Sequence, residues 1–214
     1  MLELGIKFLL SYFIGSIMGS MVVGRLRGVD IRTMGSGNPG GTNALRTQGL
    51  AFALGVMLVD VGKGALATAV VPQLDLPFVG FDPAISRVWL VYCCAAASVV
   101  GHVWPMWHGF RGGKGAATLL GTLLVIDPGV LAPALIVWMT VLTLSGFVGL
   151  ATMAASIAVP LYIAVYELPD NQPLFIYCTV LALYLVFSHR SNIRRMLDGT
   201  ESKNTHLMLF RRSG

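Results

Sequence analysis

The sequence predicts an all-α, polytopic integral membrane protein with seven transmembrane helices. Three observations point there. Of 214 residues, 55% are hydrophobic and only 12% are charged, against roughly 25% charged in an ordinary soluble domain. Mean hydropathy is +0.74. The charges sit in short segments between long apolar runs, so the net charge of +5 belongs to loops, and no nucleic-acid partner is expected. This balance excludes a disordered chain, a secreted mini-protein and a conventional soluble domain. At 22.9 kDa, residues 1–214 read as a single membrane-embedded domain.

Crossing a hydrocarbon core of about 30 Å takes roughly 20 apolar residues as helix, because the backbone must bond to itself there. The first charge-free stretch is Phe8–Gly24. The second span covers about Leu50–Val71 and carries Asp60 and Lys63. The third is Val88–Phe110. A short apolar run, Gly115–Ile126, follows. Pro128–Tyr166 is long enough for two helices, divided near Ser145-Gly146-Phe147-Val148-Gly149, and Asn171–Ser188 is the last stretch.

Parity decides the short run. The basic segments are Arg25–Arg46, Arg111–Lys114 and Arg190–Arg212, and cytoplasmic loops collect Lys and Arg. Placing all three on one side requires an even number of crossings between Lys114 and Arg190. Residues 115–126 must then cross, giving seven helices with the N-terminus outside and the C-terminus in the cytoplasm. Glu3, Asp75, Asp82, Asp127, Glu167 and Asp170 all fall outside on this layout, with only Lys7 and Arg87 as basic companions.

A secretory signal is the alternative reading of Met1–Gly24. No small-x-small cleavage site precedes a polar start, so the segment is read as helix 1. Gly15 and Gly19 have the small-xxx-small spacing that allows close helix packing, here expected within the chain. Cys93, Cys94 and Cys178 fall in spans and read as thiols, with neither disulfide nor metal spacing.

Three polar clusters fall on the cytoplasmic side. The first runs from Gly35 to Arg46. Its glycines let backbone N–H groups approach an anion, and a following helix N-terminus would add its dipole. Ser36, Asn38, Thr42 and Asn43 add hydrogen-bonding groups and Arg46 a phosphate-shaped fork. The competing reading is a flexible surface loop.

The second cluster runs from Gly101 to Gly115. It is not a Walker A loop: position 108 is His where the first glycine belongs, and Gly115 follows Lys114. A lysine in a glycine turn at a helix start still makes a phosphate site. Trp104 and Trp107 read as headgroup-level aromatics, and His102 and His108 as structural.

The third cluster is Ser188–Arg195 followed by Gly199-Thr200-Glu201. His189 and Asn192 share a helix face if the last span continues. A basic, solvated stop-transfer tail fits the same composition. Asp60 and Lys63 stand at i, i+3 inside the second span. Ionisable groups there are costly, so they mark either a structural pair or a substrate contact.

Together the clusters imply a pocket for a small phosphorylated anion without specifying a reaction. The series Gly28-Val29-Asp30-Ile31-Arg32, Gly35-Ser36-Gly37-Asn38 with Thr42-Asn43, Asp60 with Lys63-Gly64, Gly101-His102-Val103 with Pro105, Gly109-Phe110 with Gly112-Gly113-Lys114-Gly115, and His189–Arg195 with Gly199-Thr200-Glu201 resembles the bacterial acyl-phosphate:glycerol-3-phosphate acyltransferases. The resemblance extends over nearly the whole chain.

It implies a seven-helix enzyme of the bacterial inner membrane with its active site facing the cytoplasm. The implied reaction transfers a fatty acyl group from a long-chain acyl phosphate to the 1-position of glycerol 3-phosphate, giving lysophosphatidic acid and inorganic phosphate. Membrane lipids and the enzyme that makes the acyl phosphate are the implied partners; no cofactor and no metal are implied. By match to the family, Ser36, Gly37, Asn38, Asn43, Arg46, Lys114 and Glu201 bind substrate. His189 accepts or orients the hydroxyl proton and Asn192 orients substrate or steadies the oxyanion. A substrate phosphate could serve as the base instead. The His-x4-Asp motif of other glycerol-phosphate acyltransferases is missing, since Trp107, Gly113, Arg194 and Arg211 stand five residues after the four histidines.

Two departures from the family pattern stand out. Met18 occupies a position where relatives often carry proline, which leaves no proline to kink helix 1. Gly146-Phe147-Val148-Gly149 replaces a segment that usually reads like Arg-Tyr-x-Ser, with Ser145 and Thr152 as candidates to stand in for the lost polar groups. The rival function is a transporter or binding protein for organic phosphates, suggested by the Asp60–Lys63 pair. A non-catalytic scaffold would leave the phosphate-type clusters unexplained.

Overall fold

The computed structural model describes residues 1–209; Arg211 and Arg212 of the last basic segment lie outside the described residues. The described chain is all-helical, with no strand: α1 Leu2–Gly15, α2 Gly19–Arg27, α3 Gly41–Gln48, α4 Leu50–Ala69, α5 Arg87–Val103, α6 Ala116–Ile126, α7 Leu131–Ser145, α8 Val148–Tyr166, α9 Gln172–Ser188 and α10 Arg190–Leu197. Among the described residues five apolar stretches are long enough to span a bilayer: Leu2–Arg27, Leu50–Gln73, Arg87–His108, Pro128–Ser145 and Val148–Tyr166. The α9–α10 pair, bent by 50°, makes a sixth where the two helices form one broken span. The 11-residue α6 rises about 16 Å at 1.5 Å per residue, so it needs flanking residues to cross. Leu58, Ile136, Leu161 and Leu183 are exposed on these helices, as apolar side chains facing lipid would be.

The helices form two compact units, Met1–Ile126 and Asp127–Gly214. In the first, α1 packs on α5 and α4 on α6, each across small residues. A Cβ on Gly15 would strike the Ser98 carbonyl, one on Gly101 the Tyr12 carbonyl, and one on Gly121 the Val61 carbonyl. Ile31, Ala44, Phe52, Ala53 and Val56 form a buried core beneath the glycine-rich loop, seating α3 on α4. At the Glu3 end of α1, Arg87 grips both oxygens of Glu3 at 2.7 and 3.0 Å. Lys7 donates to the same carboxylate at 2.8 Å and to the Pro72 carbonyl at 2.9 Å. Mutual pairing thus lets α1 begin at Leu2 despite two charges.

Helix 1 is not the continuous rod that its apolar run suggests. It stops at Gly15 and restarts at Gly19, with Met18 extended at φ −94° and ψ 120°. The kink exists without a proline, and its cause lies in α4, described below.

In the second unit α8 packs against α7 and α9. Gly146, at φ +75°, closes α7 in the left-handed conformation that glycine adopts without strain. Its carbonyl accepts the Asn204 N–H at 2.8 Å, Leu209 N–H reaches the Thr143 carbonyl at 3.0 Å, and Lys203 Nζ lies 5.2 Å from the Phe147 ring centroid. The unusual 146–149 segment therefore seats the chain that follows α10.

Candidate functional site

The loop over residues 35–40 runs directly into α3. Asn43, in the first turn of α3, is 2% exposed. Its Oδ1 accepts the Ser36 N–H at 3.0 Å, and its Nδ2 donates to the carbonyls of Ile31 and Met34, each at 3.0 Å. Both amide hydrogens are consumed. Asn43, expected to bind substrate, instead holds the loop in shape. Gly35 sits at φ +56° with its α-carbon so near Asn43 Oδ1 that a Cβ would collide.

The backbone of this loop is also largely committed. Gly37 N–H is taken by the Met34 carbonyl at 2.9 Å, and Asn38 N–H approaches Ser36 Oγ at 3.4 Å. The amide cradle expected at Gly37 is thus closed on itself, which leaves side chains and the N-terminus of α3 as the groups facing outward here. Ser36 and Arg46 are exposed and Asn38 is half-buried. Beside the loop, Arg32 donates to both oxygens of Asp30, at 3.0, 3.1 and 2.7 Å, and this pairing holds the Asp30 carboxyl below its usual range.

The Gly112–Gly115 turn docks on the end of α5: Gly112 N–H donates to the Val103 carbonyl and Gly113 N–H to the His102 carbonyl, both at 3.1 Å. Gly115, at φ +90°, opens α6, and its carbonyl accepts the Leu119 N–H at 2.8 Å. Half-buried Lys114 therefore stands at a helix start, as its spacing suggested.

Between these clusters lies a buried network. Asp60 Oδ1 accepts the Gly19 N–H at 3.0 Å, at the start of α2. Lys63 Nζ donates to the Ile17 carbonyl at 2.6 Å, to Asp60 Oδ1 at 2.8 Å and to His102 Nδ1 at 2.8 Å. The ammonium has three hydrogens and three acceptors. The broken helix is capped from outside, with a carboxylate at the new N-terminus and an ammonium at the preceding carbonyl, the signs the helix dipole favours.

In the second unit the last span bends at His189 rather than continuing straight. The Leu185 carbonyl accepts both the His189 backbone N–H, at 3.0 Å, and ring Nδ1, at 2.8 Å. A carbonyl can only accept, so Nδ1 carries the proton and Nε2 is the basic atom of the neutral ring. Asn192 N–H returns to the His189 carbonyl at 2.8 Å, preserving the three-residue relation across the bend. Both side chains are buried, His189 at 4% and Asn192 at 5% exposure.

Glu201 joins this group. Its Oε1 accepts from Asn192 Nδ2 at 2.7 Å and its Oε2 from Arg195 Nε at 2.6 Å. Both carboxylate oxygens are thus engaged within the protein, one of them on Asn192. Gly149 gives Asn192 room, since a Cβ there would lie 3.0 Å from its Nδ2. Ser145 and Thr152, the candidates to stand in for the lost polar groups, both bond within the second unit. Ser145 Oγ donates to the Val141 carbonyl at 2.6 Å and accepts the Phe147 N–H at 3.1 Å; Thr152 Oγ1 donates to the Val148 carbonyl at 2.9 Å and accepts from Trp138 Nε1 at 3.2 Å.

Sequence reasoning missed the part played by Asp60, Lys63 and His102, and by Glu201 toward Asn192. The visible signal was polarity inside apolar spans; the partners were not visible. Among the described residues no group of three or more His, Cys, Asp or Glu could hold a metal ion.

Comparison with known proteins follows the same outline. Residues 5–199 match the family model described as glycerol-3-phosphate acyltransferase. A glycerol-3-phosphate acyltransferase of Rhodospirillum rubrum is 39% identical over 203 residues, covering 94% of this chain and 91% of its own length. One from Neisseria meningitidis serogroup C is 40% identical over 195 residues, covering 90% and 93%. Among solved structures, PlsY (YgiH), an integral membrane glycerol 3-phosphate acyltransferase, matches in its glycerol 3-phosphate form. The TM-score is 0.77 at 30% identity, with 94% of each chain covered. Its lysophosphatidic acid form matches with a TM-score of 0.76.

Proposed function

The chain belongs to the glycerol-3-phosphate acyltransferase family, and on that premise we propose that its acyl donor is a long-chain acyl phosphate. It is a multi-pass membrane enzyme that acylates glycerol 3-phosphate to lysophosphatidic acid. The observation that carries this is the match, over 94% of both chains, to a structure in the glycerol 3-phosphate form. The transporter reading falls with it, and the Asp60–Lys63 pair that suggested it is engaged with the helix break.

The chemistry of an acyl phosphate suits this reading. An acyl phosphate is a mixed anhydride with a good leaving group, so the substrate hydroxyl can attack its carbonyl without a covalent acyl-enzyme. Holding the reactants in line is worth on the order of 7–11 kcal/mol. Ser36, Asn38, Arg46 and Lys114 hold phosphate by charge and hydrogen bonding, with the α3 and α6 N-termini adding their dipoles. His189 Nε2 accepts or orients the hydroxyl proton at the 1-position, and Asn192 orients the substrate or steadies the developing oxyanion. As the new ester C–O bond forms, the bond between the acyl carbon and the phosphate oxygen breaks, and the hydroxyl proton passes to the departing inorganic phosphate.

We place the enzyme in the bacterial inner membrane as one domain over 1–214, with seven crossings, the N-terminus outside and these residues facing the cytoplasm. The distribution of Lys and Arg supports that orientation. The producer of acyl phosphate is its natural neighbour, since the donor is a lipid-soluble anhydride.

The test is purified protein in detergent with glycerol 3-phosphate and either palmitoyl phosphate or palmitoyl-CoA, measuring lysophosphatidic acid. Product from palmitoyl phosphate alone is expected. Product from palmitoyl-CoA would overturn the donor assignment.

A further inference from the structure

We propose that Asp60, Lys63 and His102 are positioning residues for the acyltransfer reaction, tying the break in helix 1 to the glycine turn that presents Lys114; this rests on the reading of Lys114 as a phosphate holder. All three side chains are buried, at 1%, 5% and 3% exposure. None belongs to the substrate-binding set.

The chain of contacts is continuous. The Ile17 carbonyl and the Gly19 N–H, left over where α1 stops and α2 starts, are held by Lys63 Nζ at 2.6 Å and Asp60 Oδ1 at 3.0 Å. The third hydrogen of the same ammonium points to His102 Nδ1 at 2.8 Å. Nδ1 also lies 3.4 Å from Asp60 Oδ1; the shorter contact is to the ammonium, which can only donate, so we take Nδ1 as the acceptor and the ring as the neutral tautomer protonated at Nε2. The other edge of the ring lies on the glycine turn: a Cβ on Gly113 would collide with His102 Nε2. The backbone fastens the same joint, because Gly113 N–H donates to the His102 carbonyl at 3.1 Å. Lys114 is the next residue.

Rotation of the imidazole is therefore limited on one side by Lys63 and on the other by the Gly113 backbone. Interiors packed this closely pass displacements on rather than absorbing them. Loss of the Nδ1 acceptor would release the ring against Gly113 and leave the buried ammonium short of a partner. The effect would reach the reaction through the position of Lys114, and so through glycerol 3-phosphate binding.

The experiment compares His102→Asn with His102→Gln in steady-state kinetics, varying glycerol 3-phosphate at fixed palmitoyl phosphate. Asn sets its amide oxygen near the position of Nδ1; Gln sets it near Nε2. The expected result is a KM for glycerol 3-phosphate raised about tenfold or more in His102→Gln, with kcat changed less than about threefold, and recovery to within about threefold in His102→Asn. Equal behaviour of the two variants overturns the proposal, and so does a loss confined to kcat. Lys114→Ala, run alongside, separates the two readings. An unchanged KM in Lys114→Ala would overturn the phosphate-holding assignment and this proposal with it. A raised KM there with a normal His102→Gln would overturn the proposal alone. Combining His102→Gln with Lys114→Ala should add nothing to the KM of Lys114→Ala; multiplication of the two effects would overturn the coupling.

Discussion

His189 Nδ1 lies 2.8 Å from the carbonyl oxygen of Leu185, one turn back in α9. The contact fixes which ring nitrogen carries hydrogen. His189→Ala should therefore lower kcat by about 100-fold or more, the scale of a lost general base, while glycerol 3-phosphate still binds. Single-turnover rates together with equilibrium binding would check this. Lost binding at an undiminished chemical rate would instead make His189 a substrate holder.

Glu201 is a second test, because its carboxylate serves two donors, Asn192 Nδ2 and Arg195 Nε. Glu201→Ala leaves both without it, and hydrogen bonds to a charged group contribute about 1.5–3 kcal/mol each. We expect kcat/KM to fall about tenfold or more, and Glu201→Gln, which keeps one acceptor, to recover part of the loss. Equal activity in all three proteins would remove Glu201 from the positioning role.

Gly149 tests the same residue from the opposite side. A methyl group 3.0 Å from Asn192 Nδ2 forces the amide aside and strains its 2.7 Å bond to Glu201. Small misplacements of reacting groups are costly, up to about 100-fold per ångström. Gly149→Ala should lower kcat about tenfold and also lower the thermal midpoint, since overpacking against Asn192, about 1–3 kcal/mol, outweighs alanine's helix preference in the first turn. Unimpaired turnover would show that Asn192 tolerates the shift.

Asn43→Ala removes three hydrogen bonds from the loop that carries Ser36 and Asn38. Stranded buried polar groups cost about 1–3 kcal/mol each, so both the thermal midpoint and glycerol 3-phosphate affinity should drop. A normal affinity beside a lowered midpoint would show that the loop's shape does not matter to binding.

The apolar stretches were legible because lipid imposes one rule on every residue of a span, and each stretch read from composition carries helix in the structure. The break at Ile17-Met18 was not legible. Nothing in Gly15–Gly19 announces it, because the groups that stabilise it are Asp60 and Lys63, more than forty residues away. The polar clusters could likewise be located but not apportioned. Sequence shows that Asn43, Gly37 and Glu201 can bond; only the fold shows that their capacity is largely spent on Ile31, Met34, Asn192 and Arg195. His189 and Asn192 were paired by spacing, and the pairing holds across a bend that the spacing did not predict.

The interrupted first helix also bears on how the chain enters its membrane. Alone in hydrocarbon, α1–α2 would expose the Ile17 carbonyl and the Gly19 amide, and α4 alone would expose a carboxylate and an ammonium, each costing several kcal/mol or more. The two faults are complementary: each segment supplies the groups the other lacks. The broken form of helix 1 is therefore the paired form: it is satisfied only where residues 1–27 and 50–69 pack together.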